Sequence, residues 1–179
     1  MRCLLTLVSG ILLLTLASCA TTNQPGEGEE SPATEAAEAP NQPSWYNALT
    51  ASASDSTSFT GFAHAVSADR QEAQTLSEAT AVKNLRFEID RFAEEVRRQL
   101  VKDDANREFE QPAFIRELRN AVDSMPVDGA PSELEYFSDG SVVHAYTRIR
   151  ISPQNVIDSL SARLNNRAFI ASLRQRVSL

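Results

Sequence analysis

Beyond residue 19 the sequence has no cysteine: its two, Cys3 and Cys19, both lie in the first nineteen residues. Whatever folds downstream therefore has no disulfide and no thiolate for catalysis or metal binding, and must be held by its own core. Roughly 135 residues can bury enough apolar surface for that. Glycine is nearly as scarce, with only Gly129 and Gly140 after Phe62, which leaves no phosphate-cradling loop. Histidine occurs twice, as His64 and His144. No serine sits in a nucleophile elbow, so Ser/His/Asp catalysis lacks local support. Positive charge is in deficit too: 17 Lys and Arg stand against 24 Asp and Glu, a formal net charge of -7. The bases are mostly Arg interspersed with acids, without a basic stripe, which excludes nucleic acid as a partner. The one long apolar run is residues 4–16, short of the roughly 20 residues that cross a bilayer as a helix.

What the N-terminus does contain is a signal peptide's layout: Arg2, the apolar run, then the small residues Ala17 and Ser18. The tetrapeptide Leu16-Ala17-Ser18-Cys19 resembles, position by position, the lipobox of bacterial lipoproteins. That resemblance implies that residues 1–18 are removed and that Cys19 becomes the first mature residue. It also implies diacylglycerol on the Cys19 thiol and an acyl chain on its amino group. Each buried CH₂ of lipid contributes about 0.8 kcal/mol, so several chains on one cysteine make a lasting membrane anchor. Beyond this covalent lipid no cofactor and no metal are expected. In the lipoprotein family an Asp after the cysteine often retains the protein at the inner membrane; here Ala20 stands there. In a cell with two membranes the resemblance therefore points to the outer membrane, with the domain in the periplasm.

Residues 19–43 read as the lipidated cysteine and a tether. From residue 20 to 43 the chain is rich in Glu, Ala, Pro, Thr, Gly and Asn, with Glu27, Glu29, Glu30, Glu35 and Glu38 and no base. A coil of this length reaches roughly 25–30 Å, and repulsion among the glutamates extends it. Charge runs of this kind usually solvate, so a spacer is the plainer reading than an acidic docking patch. Without Arg2 the formal charge is -8, and without the five linker acids it is -3 for residues 44–179.

Residues 44–179 read as one α+β domain. Trp45 and Tyr46 mark where the polar tether meets a hydrophobic surface, with Trp45 at the domain's edge. A Ser/Thr/Asp loop spans 52–58, and 59–66 reads as a strand in which Gly61 hints at a bulge or close packing. Asp69 and Glu72 fit a capping box. Ala73, Leu76, Leu85, Ile89, Phe92, Val96 and Leu100 then trace one face of a long helix. Its other face, Glu88, Arg91, Glu94, Arg97 and Arg98, reads as solvated. After a charged connector, 102–110, Pro112 opens a shorter helix with Phe114, Ile115, Leu118, Val122 and Met125. Residues 133–137 and 142–151 form a hairpin about Asp139-Gly140, with Val143, Ala145, Ile149 and Ile151 buried opposite a polar face of His144, Tyr146, Arg148 and Arg150. Ser152-Pro153 starts another helix, and Phe169, Ile170, Leu173 and Val177 mark a last one. The expected architecture is a small, mostly antiparallel sheet of about three strands, packed by one long helix and two or three shorter ones.

Three segments of the domain, Pro43-Ser44-Trp45, Gly61-Phe62-Ala63-His64-Ala65 before an Ala-bearing helix, and 139–146, resemble the bacterial Lpp-twenty lipoprotein family. More distantly they resemble the N-terminal region of flagellar assembly protein T. The resemblance implies an envelope lipoprotein with an interaction role and supplies no mechanism.

Two classes of function are therefore expected from the sequence. The first is a non-enzymatic binding or scaffolding role beside a membrane, with an envelope protein as partner and Tyr146, Arg148 and Arg150 as contact residues, since Tyr and Arg are common interface anchors. The second is a lipid-anchored metal binder or small hydrolase using His64 and His144, whose imidazoles approach one another if their strands are neighbours. The plainer reading of the histidines is two unrelated strand residues, because no ligand-spaced Asp, Glu or His accompanies either. Carboxylate pairs such as Glu94-Glu95, Asp103-Asp104 and Glu108 with Glu110 read as solvated charge rather than a glycosidase dyad.

Overall fold

The computed structural model describes residues 41–102, 107–127 and 130–177. The signal sequence, Cys19 and most of the tether lie outside them. Alternation of large and small side chains along 59–67 and 142–151 produces the two central strands of an antiparallel sheet. Its strands are β1 (Ser52–Ser54), β2 (Phe59–Ser67), β3 (Ser132–Asp139) and β4 (Val142–Ile151), in the order β1-β2-β4-β3. The domain is α+β, as expected, with a fourth strand where the sequence reads as a Ser/Thr/Asp loop. That strand is short, polar and at the edge, so it carries none of the apolar alternation by which strands are recognised.

Register decides what each face carries. Phe59, Gly61, Ala63 and Ala65 pair with Ile151, Ile149, Thr147 and Ala145, and these look toward α1 (Arg70–Lys102). Helix α1 lays a line of small and aliphatic residues on them, with Ala73, Ser77, Ala81, Leu85, Ile89 and Ala93 all buried. At Gly61 the approach is so close that a Cβ would lie 2.2 Å from the Ala81 carbonyl oxygen and 2.5 Å from the Leu85 nitrogen. The glycine marks close packing rather than a bulge, since β2 pairs in unbroken register across it. The one polar pair in this layer, Ser77 Oγ and Thr147 Oγ1, satisfies itself at 2.7 Å.

Several expectations for α1 are corrected. Leu76, placed in the core by spacing, is 48% exposed, and Phe87 is 64% exposed, because the sheet meets the line through 73, 77, 81 and 85 and these two lie off it. Glu88, assigned to the solvated face, is 1% exposed. Its carboxylate accepts hydrogen bonds from Ser52 Oγ at 2.9 Å and Ser54 Oγ at 2.6 Å, and from Arg91. Arg97 also turns inward, donating to the Phe109 carbonyl at 2.7 Å while Glu94 holds its other side. The capping box forms only its forward half: Asp69 Oδ1 accepts from the Glu72 nitrogen at 2.8 Å. Ser67 Oγ serves the Asp69 nitrogen in place of Glu72.

The second part of the core lies against the C-terminal half of α1. Phe109, from a 3₁₀ turn at Arg107–Glu110, is fully buried, so the charged connector carries an anchor. It meets Phe114 of α2 (Pro112–Asp123) at 4.9 Å between ring centroids, and Phe114 meets Phe169 of α4 (Arg167–Val177) at 5.3 Å. Between β4 and α4, α3 (Pro153–Ser161) starts as expected, Ser152 Oγ accepting from the Asn155 nitrogen at 3.2 Å with proline in the first turn. The β3–β4 hairpin closes through Gly140, whose φ of 58° is the left-handed region that favours glycine.

Gly61→Ala is expected to lower the unfolding free energy by about 3 kcal/mol, the upper part of the range for overpacking, since the new methyl meets backbone that cannot yield. A lower urea midpoint at unchanged slope is the reading that checks it. Burial pushes the Glu88 carboxyl upward, but the hydrogen bonds from Arg91, Ser54 and Ser52 outweigh it and hold it below the usual glutamate range. A folded-state value below the unfolded one stabilises the fold above the unfolded value, near pH 4.3, and that contribution is lost as pH falls through the folded value. Glu88→Gln is therefore expected to be less stable than the parent near neutrality and to show a shallower loss below about pH 4.5, measured by urea unfolding across the acid range.

Candidate binding face of the sheet

The face turned away from α1 carries the chemistry. By register it presents Thr60, Phe62, His64 and Val66 from β2 beside Arg150, Arg148, Tyr146 and His144 from β4. Glu133, Glu135 and Phe137 of β3 complete it. Such a face needs cover, and part of it comes from the chain just before β1. A turn closed by the Tyr46 nitrogen on the Pro43 carbonyl at 3.0 Å, and a second by the Thr50 nitrogen on the Asn47 carbonyl at 2.9 Å, hold this arm.

Both aromatic residues of the arm lie on the sheet. Trp45 stacks on Phe62 with centroids 6.4 Å apart, donates its indole N–H to Glu135 Oε1 at 2.6 Å, and receives the Arg148 guanidinium 4.8 Å from its ring centroid. Tyr46 meets Tyr146 edge-on at 4.8 Å and His64 at 6.0 Å. Burial raises the Tyr46 hydroxyl above its ordinary pKa; burial and then the neighbouring Tyr46 do the same for Tyr146. Both phenols stay protonated as donors.

The three expected contact residues fare differently. Tyr146 is 2% exposed, roofed by Tyr46, His64 and Phe137, so it cannot meet a partner: strand alternation put it on the right face but could not foresee the arm. Arg148 is held by Glu133, its Nε donating to Oε2 at 2.9 Å, and is mostly covered by Trp45. Arg150 reaches the same Glu133 at 3.6 Å and remains about half exposed. It also borders an open cleft of about 700 Å³ with Thr57, Pro131 and Asp158.

His64 and His144 are not unrelated strand residues. They sit on neighbouring strands as a diagonal pair, with His64 Nε2 and His144 Nδ1 3.0 Å apart and ring planes 11° apart. The Tyr146 ring lies 4.4 Å from that of His64, nearly parallel to it. Burial, and then the neighbouring His144, lower the His64 pKa below the ordinary histidine value. Among the described residues no group of three or more His, Cys, Asp or Glu is placed to hold a metal ion. Cys19 lies outside the described residues. Within them, no helix is long and apolar enough to cross a membrane.

Sequence reasoning missed Tyr46 and Glu135 as members of this face. Glu135 was legible in principle, since in a hairpin turning at Gly140 it stands directly across from Tyr146. The position of Tyr46 follows from a chain reversal that no local pattern announces. Comparison of the chain with known protein families, curated proteins and solved structures gives no match.

Trp45 is the sole tryptophan, so its emission reports on the arm alone. Glu135→Ala removes the acceptor of the indole N–H and is expected to cost about 1 kcal/mol. Trp45 emission should move to longer wavelength and acrylamide quenching should increase, while far-ultraviolet circular dichroism stays unchanged.

Proposed function

We propose that the chain is a lipid-anchored envelope protein whose domain works by binding another envelope protein through the sheet face opposite α1. The observation that carries this reading is the composition of that face. Half-buried Trp45, Tyr46, Phe62, His64, Phe137 and His144 form an aromatic surface bordered by Arg150 and by Val66, which is 45% exposed. Aromatic residues and arginine are the side chains enriched at protein interfaces, where they bring area and directed polar contacts at low entropic cost. Glu133 answers the arginines, so the face is amphipathic rather than strongly charged.

The anchor rests on the sequence Leu16-Ala17-Ser18-Cys19 and its resemblance to the lipobox. Attachment by lipid at Cys19 through a tether of some 24 residues keeps the domain within a few nanometres of the membrane, raising its effective concentration toward partners there. With Ala20 after the cysteine, the proposed location is the periplasmic side of the outer membrane in a cell with two membranes. The resemblance to the Lpp-twenty family supports the same envelope role.

The test combines Cys19→Ala with a photo-crosslinking residue at position 66 or 150. The acylated parent is expected in the membrane fraction, with an intact mass starting at Cys19 and carrying acyl chains. It should give a discrete crosslinked adduct from either position and none from position 98 on the exposed side of α1. The Cys19→Ala variant should lose both the acyl mass and the membrane attachment. A parent chain that is soluble and unmodified would end the anchor reading, and adducts from position 98 alone would end the assignment of the face.

A further inference from the structure

The two edges of the sheet are protected differently. On the outer strand β3, Glu133, Glu135 and Asp139 supply the charge that discourages a further strand from pairing. On the other side β1 covers β2 only along Phe59, Thr60 and Gly61. The Phe62 nitrogen then donates to the Ala51 carbonyl at 2.9 Å, and the Phe62 carbonyl accepts from Asn84 Nδ2 at 2.7 Å. Backbone groups alternate in direction along a strand, so His64 and Val66 point their N–H and C=O the same way as Phe62. Among the described residues no strand pairs with these groups.

Exposed apolar surface gathers at the same edge. Among the described residues the large hydrophobic side chains that stay exposed are Leu49, Val66, Leu76 and Phe87. Val66 belongs to the open stretch itself. Leu76, Thr80 and Phe87 fall at helical spacing from Asn84, whose bond to the Phe62 carbonyl puts this row of α1 on the open side of β2. Leu49 stands two residues before Ala51, where the turn closed by the Thr50 nitrogen carries the chain off the line of β1.

We propose that this stretch of β2 pairs with its counterpart in a second copy of the chain, giving a dimer whose sheet runs on across a two-fold axis at Ala65. Antiparallel pairing about Ala65 sets His64 opposite Val66 of the second copy, and Val66 opposite its His64. Each outward N–H then meets a C=O, and the open groups are satisfied reciprocally. The axis is perpendicular to the sheet, so both α1 helices lie on one side with their Leu76 side chains turned toward each other, and both aromatic arms lie on the other. Charge selects a second copy as the occupant. The row Leu76, Thr80, Asn84 and Phe87 and the stretch 63–67 hold no carboxylate, ammonium or guanidinium group, so the edge meets itself without opposing like charges, whereas pairing β3 with itself along its length sets acid against acid. The chain before residue 41 is rich in Glu, Ala, Pro and Gly, residues depleted in strands, and fits the edge poorly. The dimer would present the proposed binding surface twice on one face, but its formation does not rest on that reading.

The test uses the purified full-length protein in detergent with no other protein present, so its outcome is independent of the envelope partner proposed above. Sedimentation over a dilution series should show a particle of two chains that dissociates to one. Val66→Lys and Leu76→Lys change side chains already 45% and 48% exposed, so the fold tolerates them. Each brings a charge to the axis from both copies and should raise the dimer dissociation constant at least about tenfold. Ala65→Cys gives a positive reading. Residues facing each other in a non-hydrogen-bonded antiparallel pair have Cα atoms about 4.5 Å apart, within reach of a disulfide, so mild oxidation should yield a covalent dimer that neither the parent nor Arg98→Cys forms. A parent that stays single-chain at the highest concentration, a dimer indifferent to both lysines, or a folded Ala65→Cys variant that crosslinks no faster than Arg98→Cys would overturn the pairing.

Discussion

The contact of α1 with β2 at Gly61 sets the dimensions of the whole domain. Where a helix touches a strand backbone to backbone, one of the two must lack a side chain at the crossing; Gly61 supplies that gap between Ala81 and Leu85, and small Ala73, Ser77 and Ala81 keep the N-terminal half of the contact line close. Larger side chains follow beyond the crossing, where Leu85 and Ile89 are buried, Phe59 meets Phe92 with ring centroids 5.1 Å apart, and Ile149 and Ile151 are buried. Interiors are packed as densely as organic crystals, so bringing two backbones together at one point fixes the tilt and height of the helix over the rest of the sheet. Glu88 becomes buried for the same reason: α1 lies low enough for this residue to be closed over by β1.

A four-stranded sheet with one long helix on it still has a second face. The aromatic arm is the domain's answer to that exposure. Trp45 covers Phe62 and Arg148, and Tyr46 covers Tyr146 and His64, leaving a half-buried aromatic surface where a bare one would invite aggregation. Three segments of this face, around residues 43–45, 61–65 and 139–146, are widely separated in sequence. They come together on this sheet: Trp45 lies on Phe62, and His64 touches His144.

The regular elements were legible because their causes are local. The long period of α1, the Asp139-Gly140 turn, and Ser152-Pro153 at the head of α3 each declare themselves within a few residues. The α+β class follows from their order. What stayed hidden depends on partners far along the chain. Nothing near Glu88 distinguishes it from Glu94 or Glu95. Its burial is decided by Ser52 and Ser54, some 35 positions away on a strand too polar to be recognised. Tyr146 was placed on its correct face by alternation, yet its exposure depended on an arm about 100 residues earlier. For the candidate site, the sequence supplied the two histidines and the arginines, but only the β2–β4 register could turn His64 and His144 into a pair.

Glu88 illustrates how such a long-range polar contact can specify structure without adding much stability. Replacing a buried, hydrogen-bonded carboxylate by an apolar side chain of similar volume is often nearly neutral in free energy, so net stabilisation is a weak account of its presence. Register is a stronger one. The edge strand β1 has three residues and no apolar side chain large enough to fix its position by packing, and a slip of one residue reverses the faces of a strand. With Ser52 and Ser54 on the α1 side, the carboxylate finds two hydroxyl donors; with Ala53 there instead, it would lose both and remain buried beside Arg91 alone. That penalty selects the observed register, in which Ser52 pairs with Gly61 and the Phe62 nitrogen donates to the Ala51 carbonyl at 2.9 Å. Only a few residues separate this point from Trp45 and Tyr46, so the register of β1 determines where the arm lands. A charge on one side of the sheet thereby positions the aromatic surface on the other.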